Sequence, residues 1–184
     1  MKIAVTGTPG TGKTTATELL RSRLDSRDSN EDDGSLADLE VVHLNRVLED
    51  EALYTDVDAD RESKIADLEA ISEWLQGRES VVFESHLAHH FEADRVAVLR
   101  CRPAILEQRL HDRGESERKA HENAESEALD VILSEAVEEH GLESIYEIDT
   151  TDLDSEGVAD ELAAVALNER EPSAGEVNFM GYLT

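Results

Sequence analysis

A glycine-rich segment near the N-terminus constrains this chain more than any other feature. Residues 7–14 read Gly-Thr-Pro-Gly-Thr-Gly-Lys-Thr, which fits the pattern G-x-x-x-x-G-K-[ST] of a phosphate-binding loop, the P-loop. The preceding run, Lys2–Thr6, is short, apolar and partly β-branched, as expected of a buried strand, and apolar residues recur at helical spacing from Lys13 onward. A glycine-rich turn that matches by chance is the alternative. The flanking strand and helix favour the P-loop, because its chemistry requires both.

Each part of this loop suits a bound triphosphate. Gly10 and Gly12 let the backbone turn its N–H groups inward without Cβ clashes. The start of the following helix adds unpaired N–H groups and a favourable dipole for an anion. Lys13 is placed to reach the β- and γ-phosphates, and the hydroxyl of Thr14 is placed to bind Mg²⁺. We therefore predict that ATP and Mg²⁺ bind here.

Strand and helix patterns alternate along the rest of the chain. The predicted strands are 2–6, 39–43, 80–83, 96–99 and 144–148. One predicted helix starts at residue 13, and the others cover 65–75, 104–112, 116–139 and 157–168. This alternation indicates crossover connections, hence an α/β fold with a five-stranded parallel sheet flanked by helices. A length of 184 residues predicts a single domain over 1–184. Residues 26–37 are predicted as a polar surface loop, and the tail from Glu169 as irregular, with Val177, Phe179 and Leu183 available to dock.

Parallel sheets place their ligands beyond the carboxyl ends of the strands, and an acid stands at one such end. Glu84 closes the predicted third strand, where a carboxylate could hold Mg²⁺ or orient the nucleophile; a surface acid is the alternative. His86 follows two residues later and could orient a water or contact phosphate. His86, His89 and His90 are also metal-ligand types. Since no cysteine or second cluster completes a site, the sequence argues against a structural metal.

Two arginines form a second candidate element. Arg109 and Arg113 are four positions apart, so they share one helix face, and Gly114 follows directly. Guanidinium groups suit the charge that develops during phosphoryl transfer, which makes both arginines candidate catalytic residues. Ion pairs with neighbouring acids are the alternative. The polar region 44–60 is placed to cover an acceptor.

The chain is strongly acidic, with 44 acidic and 17 basic residues and a net charge of −27. Two explanations compete: a surface adapted to very high salt, where charge repulsion is screened, and a surface that repels nucleic acid and binds a basic partner. The acids are scattered through every segment, which favours a halophilic source. We expect no direct sequence-specific binding of nucleic acid.

Compartment follows from three further observations. The first apolar run is too short for a secretory leader, and no run approaches the length that spans a bilayer. Cys101 is the single cysteine, so no disulfide can form within the chain. We therefore expect a cytoplasmic protein without a membrane partner.

These motifs together resemble a known family, the atypical adenylate kinases of the adenylate kinase isoenzyme six type, which occur in archaea and in eukaryotic nuclei. The resemblance covers residues 1 to about 150. It rests on the P-loop at 7–15, on Glu84-Ser85-His86, and on the run Leu110-His111-Asp112-Arg113-Gly114 followed by Lys119, Asn123 and Glu127. Two positions depart from the family pattern: Glu84 stands where Asp is usual, and Glu115 where an aromatic residue is usual.

The resemblance implies a P-loop nucleoside monophosphate kinase fold and a set of roles. Residues about 35–58 would bind the monophosphate, and residues about 111–121 would form a short lid, with Arg113 touching the nucleotide. The residues that would hold ATP are Gly10, Gly12, Lys13, Thr14 and Thr15. The family pairs adenylate kinase activity with ATPase activity. Its members also act in small ribosomal subunit maturation, hence in rRNA processing, and bind ribosomal protein uS11.

Three functions stay open at this point. The first is transfer of the γ-phosphate of ATP to AMP or another nucleoside monophosphate, with ATP hydrolysis as a second activity. The second is a ribosome assembly factor whose nucleotide cycle gates binding to a basic ribosomal protein. The third is a P-loop kinase of another small metabolite, because acceptor choice depends on the weakly patterned region 44–60.

Overall fold

A five-stranded parallel sheet forms the centre of the protein in the computed structural model, which describes residues 1–27, 39–58 and 63–184. The elements are β1 (Lys2–Thr6), α1 (Lys13–Arg27), β2 (Glu40–His43), α2 (Leu44–Asp50), β3 (Tyr54–Asp58), β4 (Ser63–Ala66), α3 (Leu68–Leu75), β5 (Val81–Glu84), β6 (Arg95–Arg100), α4 (Pro103–Asp112), α5 (Glu117–Ala128), α6 (Val131–His140), β7 (Ile145–Asp149) and α7 (Ser155–Ala166). The strand order is β2-β5-β1-β6-β7. The predicted α/β fold with a five-stranded parallel sheet is confirmed.

The sheet is buried on both faces, as its sequence indicates. Strands β5 and β6 are almost entirely buried, because helices cover a parallel sheet on either side and leave no solvated face. On one face α1 and α7 pack against side chains such as Ile3 and Leu99. On the other face α3 and α6 pack against side chains such as Phe83. Because the strands are parallel, the carboxyl ends of β1, β2 and β5 lie side by side at one end of the sheet, which we call the open edge.

Two predicted helices differ from the structure. The helix predicted over 116–139 is interrupted, since Asp130 adopts a left-handed conformation with φ of 55° between α5 and α6. A tertiary contact holds this break, because the carboxylate of Asp130 accepts a hydrogen bond from Arg100. The helix predicted from Ile65 begins later: Ile65 lies in β4, which pairs with β3 as an antiparallel hairpin. Asp67 then caps α3 by accepting from the N–H of Ala70 at 3.0 Å.

The remaining expectations concern the predicted surface loop, the acceptor region and the lid. Helix α1 extends through Arg27, past the predicted start of the surface loop. Residues 28–38 and 59–62 lie outside the described residues, and they include most of that loop, the start of the predicted monophosphate-binding region 35–58 and the end of region 44–60. Within the region 44–60, the described elements are α2 and β3. The predicted lid, 111–121, comprises the end of α4, a turn at Gly114 and the start of α5.

The C-terminal tail docks on the far edge of the sheet. The N–H of Ser173 donates to the carbonyl of Ile145 in β7, and the N–H of Glu147 donates back to the carbonyl of Ser173, both at 2.9 Å. Phe179 is half-buried, with its ring 5.6 Å from the Arg100 guanidinium, whereas Leu183 stays exposed. In the part of the chain that the structure describes, no helix has the length and apolar character needed to cross a bilayer.

Candidate active site

The P-loop connects β1 to α1 and depends on glycine where the backbone is tightest. Gly7 has φ of 135°, and a Cβ atom added there would lie 2.3 Å from the carbonyl oxygen of Leu99. No residue with a side chain fits that position. Gly10 and Gly12 follow with φ of 98° and 94°, a region that other residues rarely adopt.

Most of the predicted site residues line one pocket of about 140 Å³ over this loop. They are Gly10, Gly12, Lys13, Thr14, Thr15, Glu84, His86 and Arg113. Pro9 and Asn45 complete its wall. These residues come from the P-loop and the start of α1, from the start of α2, from the end of β5 and the residues that follow it, and from the end of α4. The open edge of the sheet thus collects them as the topology predicts.

Lys13 lies buried beneath the loop with its side chain turned toward the loop backbone. Its Nζ donates to the carbonyl of Gly7 at 2.7 Å and to that of Thr8 at 3.1 Å. Burial lowers the pKa of Lys13 to about 8, although the carboxylates of Glu84 and Glu127 oppose that change. A phosphate group would supply the compensating negative charge that a buried ammonium requires.

Thr14 and Glu84 form a pair of oxygen donors suited to a magnesium ion. The hydroxyl of Thr14 donates to Oε1 of the buried Glu84 carboxylate at 3.1 Å. A hydroxyl and a carboxylate at this separation match the hard oxygen ligands that Mg²⁺ prefers. Both residues that we predicted as Mg²⁺ ligands therefore fit the ion.

His43 contacts the same carboxylate, and the sequence had not indicated it. Its Nδ1 lies 2.9 Å from Glu84 Oε1, because β2 and β5 pair in a register that places His43 opposite Glu84. This contact holds the carboxylate in one orientation. The available signal was positional, since His43 ends a strand at the edge where ligands bind.

His86 occupies the junction between the P-loop pocket and two neighbouring cavities of about 1020 and 470 Å³. Although part of the side chain reaches solvent, desolvation by the surrounding protein lowers the pKa of His86, and the positive charge of Lys13 adds to that effect. The imidazole is therefore neutral near pH 7. A neutral imidazole offers one donor and one acceptor, which suits it to orient a water molecule.

The two predicted arginines separate in space. Arg113 ends α4 and lines the P-loop pocket. Arg109 is half-buried and contacts the P-loop, where its Nη1 lies 3.4 Å from the Gly10 carbonyl oxygen and 3.5 Å from Cys101 Sγ. Arg109 is not among the residues that line the pocket. Its action on the transferred phosphate stays a prediction.

Glu127 of α5 supports the P-loop from the opposite side. Its buried carboxylate accepts from the Thr8 hydroxyl, from Arg100 Nε at 2.8 Å and from the N–H of Cys101 at 3.1 Å. Arg100 is itself buried and also donates to Glu147 at 2.6 Å. The sequence analysis names Glu127 only as part of the family resemblance and gives it no role in the site. A further signal is its charge on the otherwise alanine-lined buried face of α5.

The two cavities adjoin the P-loop pocket and share part of its lining. The larger is lined by Thr8, Pro9 and residues of α5, including Lys119 and Asn123. The smaller has an apolar wall of Leu44, Leu48, Ile71 and Phe91. Its polar side includes Lys119 and the pair of Lys64 and Glu49, whose charged atoms lie 3.4 Å apart. Four residues line both cavities: Asn45, His86, Leu87 and Lys119. An apolar wall with a few polar groups is typical of a ligand cavity.

Comparison with known proteins identifies the family of the chain. The family model described as an AAA domain matches residues 3–130. The chain belongs to this family. Within the AAA domain family it is similar to proteins named "Putative adenylate kinase" from the halophilic archaea Natronomonas pharaonis and Halobacterium salinarum. Each is 52% identical, and the alignments cover 100% of both chains. A relative of the same name from Methanosarcina acetivorans is 38% identical over 90% of this chain and 86% of its own.

Solved structures of two kinases share the fold of this AAA domain. Shikimate kinase from Acinetobacter baumannii in complex with shikimate aligns with a TM-score of 0.61 and 15% identity, over 92% of this chain and 94% of that one. A gluconokinase from Sinorhizobium meliloti aligns with a TM-score of 0.53 and 17% identity, over 91% and 93%. At such identities the likeness concerns the fold alone, and it agrees with the predicted P-loop kinase fold.

Proposed function

We propose that this protein is an ATP-dependent nucleoside monophosphate kinase that uses AMP as an acceptor. The observation that carries the proposal is that one pocket at the open edge of the sheet collects most of the predicted site residues and adjoins two cavities. These residues include Lys13, Thr14, Glu84, His86 and Arg113. The name of the archaeal relatives, 52% identical along their whole length, supports the same activity.

The proposed reaction is transfer of the γ-phosphoryl group of ATP. An oxygen of the acceptor phosphate attacks the γ-phosphorus, the bond to the β–γ bridging oxygen breaks, and ADP leaves; with AMP the second product is also ADP. Lys13 contributes positive charge beside the transferred group, and Arg113 adds charge from the lid side. Mg²⁺ bound by Thr14 and Glu84 would neutralise phosphate charge.

We propose ATP hydrolysis as a second activity of the same site. The neutral His86 imidazole faces the P-loop pocket and both cavities, so it is placed to orient a water molecule when no acceptor is bound. Water carries no anchor of its own and needs such a partner. A bound monophosphate is held by its own pocket.

A role in small ribosomal subunit maturation is the alternative function, and the charge of the chain is compatible with it. A net charge of −27 complements a basic partner such as ribosomal protein uS11. The same charge is typical of proteins adapted to high salt, and the relatives from halophilic archaea support that explanation. In the alternative, nucleotide turnover would gate binding to the partner.

The deciding experiment measures ADP formation from ATP and Mg²⁺ in molar KCl, with and without each acceptor. The acceptors are AMP, CMP, GMP, UMP, shikimate and gluconate. We expect AMP to raise ADP formation well above hydrolysis alone. The Lys13→Ala variant is the matched control and should lose both activities while its circular dichroism spectrum is unchanged. If shikimate or gluconate is used and no monophosphate is, the acceptor assignment is wrong. If no acceptor is phosphorylated, the kinase proposal fails.

A further inference from the structure

A second cluster of chemically active side chains lies outside the P-loop pocket. A short 3₁₀ turn, Ala88–His90, follows β5 and packs against α6. His89 and His90 of this turn and Glu135 of α6 each offer one donor atom, and these three atoms lie within 4.8 Å of one another. The sequence argued against a metal because no second cluster was evident beside the histidines. Helix α6 supplies that second group.

Both ring nitrogens of His89 have an oxygen partner. The ring is almost fully buried, with Nδ1 2.9 Å from the Thr6 hydroxyl oxygen and Nε2 3.1 Å from Glu135 Oε2. A metal ion on Nε2 requires the tautomer in which Nδ1–H donates to the Thr6 hydroxyl oxygen. Thr6 accommodates this tautomer, because its own proton can then go to the carbonyl oxygen of His86, 3.4 Å away.

This tautomer leaves the Nε2 lone pair directed at a carboxylate oxygen. In that tautomer two acceptors lie 3.1 Å apart and repel each other, and a metal ion bound to both atoms removes the repulsion. The metal-free chain instead keeps the proton on Nε2 and donates it to Glu135, so binding of the ion selects the tautomer.

We propose that His89, His90 and Glu135 form a binding site for a divalent transition-metal ion of the Zn²⁺ or Co²⁺ class. Imidazole nitrogen with carboxylate is a donor set that such ions prefer and that Mg²⁺ does not. It differs in this respect from the all-oxygen pair of Thr14 and Glu84.

The surroundings of the cluster match those of a metal-binding histidine pair. Such ligands usually hold their second ring nitrogen on a neighbouring polar group, which orients the imidazole. Thr6 does this for His89, and Glu139, one helical turn after Glu135, lies 2.7 Å from Nδ1 of His90. The three ligands also line the cavity of about 1020 Å³, which gives an ion a path to the site.

Occupancy would have a structural consequence. The ion would link α6 to the turn that follows His86, and through Thr6 it would also brace the residue that precedes the P-loop. Because the ion binds the folded chain, it should raise the melting temperature. This inference rests on the cluster alone and stands whether or not the proposed kinase activity does.

The test titrates ZnCl₂ into the full chain by calorimetry, after EDTA treatment and dialysis into molar KCl. Excess Mg²⁺ in the buffer occupies sites built of carboxylates alone, which a chain of this charge could offer. We expect one equivalent of zinc to bind and to raise the melting temperature. Titration with CoCl₂ should give the visible absorption of a nitrogen-coordinated ion. A wild-type chain that binds no zinc under these conditions overturns the proposal.

Two variants and one control make the assignment specific. Glu135→Gln changes a half-exposed side chain and His90→Ala a partly exposed one, so both should fold, as circular dichroism will verify. Each should weaken zinc binding by more than about tenfold. The control is His121→Ala, because His121 also lies near two carboxylates, at 3.3 and 3.5 Å, but on the exposed surface. If zinc binds both variants as tightly as it binds wild type and the control, it binds elsewhere on the chain.

Discussion

Replacing Glu127 by alanine should cost about 3 to 5 kcal/mol of unfolding free energy, the range for breaking a buried ion pair. The carboxylate accepts hydrogen bonds from Arg100, from the Thr8 hydroxyl and from the N–H of Cys101. Arg100 keeps Glu147 as a partner at 2.6 Å, so its charge is not left alone, which favours the lower half of the range. The other two donors lose their acceptor, and each unsatisfied buried group costs about 1 to 3 kcal/mol.

A loss of this size is measurable, because the total stability of a domain is about 5 to 15 kcal/mol. The assay is urea unfolding followed by circular dichroism in molar KCl, where the salt stays constant through the titration. Glu127→Gln should lose less, about 1 to 2 kcal/mol, since the amide retains one acceptor oxygen. Glu125→Ala is the matched control in the same helix. Its half-exposed carboxylate lies 3.5 Å from His121, and its removal should change stability by less than about 0.5 kcal/mol.

Equal unfolding midpoints for Glu127→Ala and Glu125→Ala would refute the reasoning. In that case the buried network would not connect α5 to the P-loop. If Glu127→Ala lowers the unfolding midpoint but leaves the KM for ATP unchanged, Glu127 stabilises the fold without positioning Thr8.

Further predictions concern the site and the surface. The kcat/KM for ATP should fall as pH rises through about 8, because Lys13 in the free enzyme loses its proton there. The control is Lys13→Arg, whose kcat/KM should not change over this pH range because arginine stays charged. His86→Ala should reduce ATP hydrolysis more than transfer to AMP, and equal losses in parallel rate measurements would contradict its proposed role with water. Arg113→Ala should lower kcat more than it raises the KM for either substrate, whereas a change in KM alone would indicate uniform binding. Removing KCl should unfold the protein, because 27 excess negative charges repel over a Debye length that grows from about 3 Å at 1 M to about 30 Å at 0.01 M. Circular dichroism that is the same across the KCl series would instead favour a basic partner as the cause of the acidic surface.

Local patterns in the sequence were sufficient for the fold and for the centre of the site. The P-loop is a contiguous motif, so the fixed spacing of its glycines, Lys13 and Thr14 is sufficient to predict their roles. Short apolar runs alternate with segments of helical spacing, and this order predicts crossover connections and hence the parallel sheet. Glu84 and His86 could be placed because parallel strands bring their carboxyl ends to one edge.

Contacts between distant segments were decided only by the tertiary structure. His43 reaches Glu84 across 41 positions, Glu127 reaches Thr8 across 119, and Glu135 meets His89 across 46. The break at Asp130 likewise depends on Arg100, thirty residues earlier in the chain. Periodicity describes which face of an element is buried, whereas register and helix packing decide which polar groups meet there. The supporting residues of the site, and the proposed metal ligands, therefore became visible only once the elements were packed together.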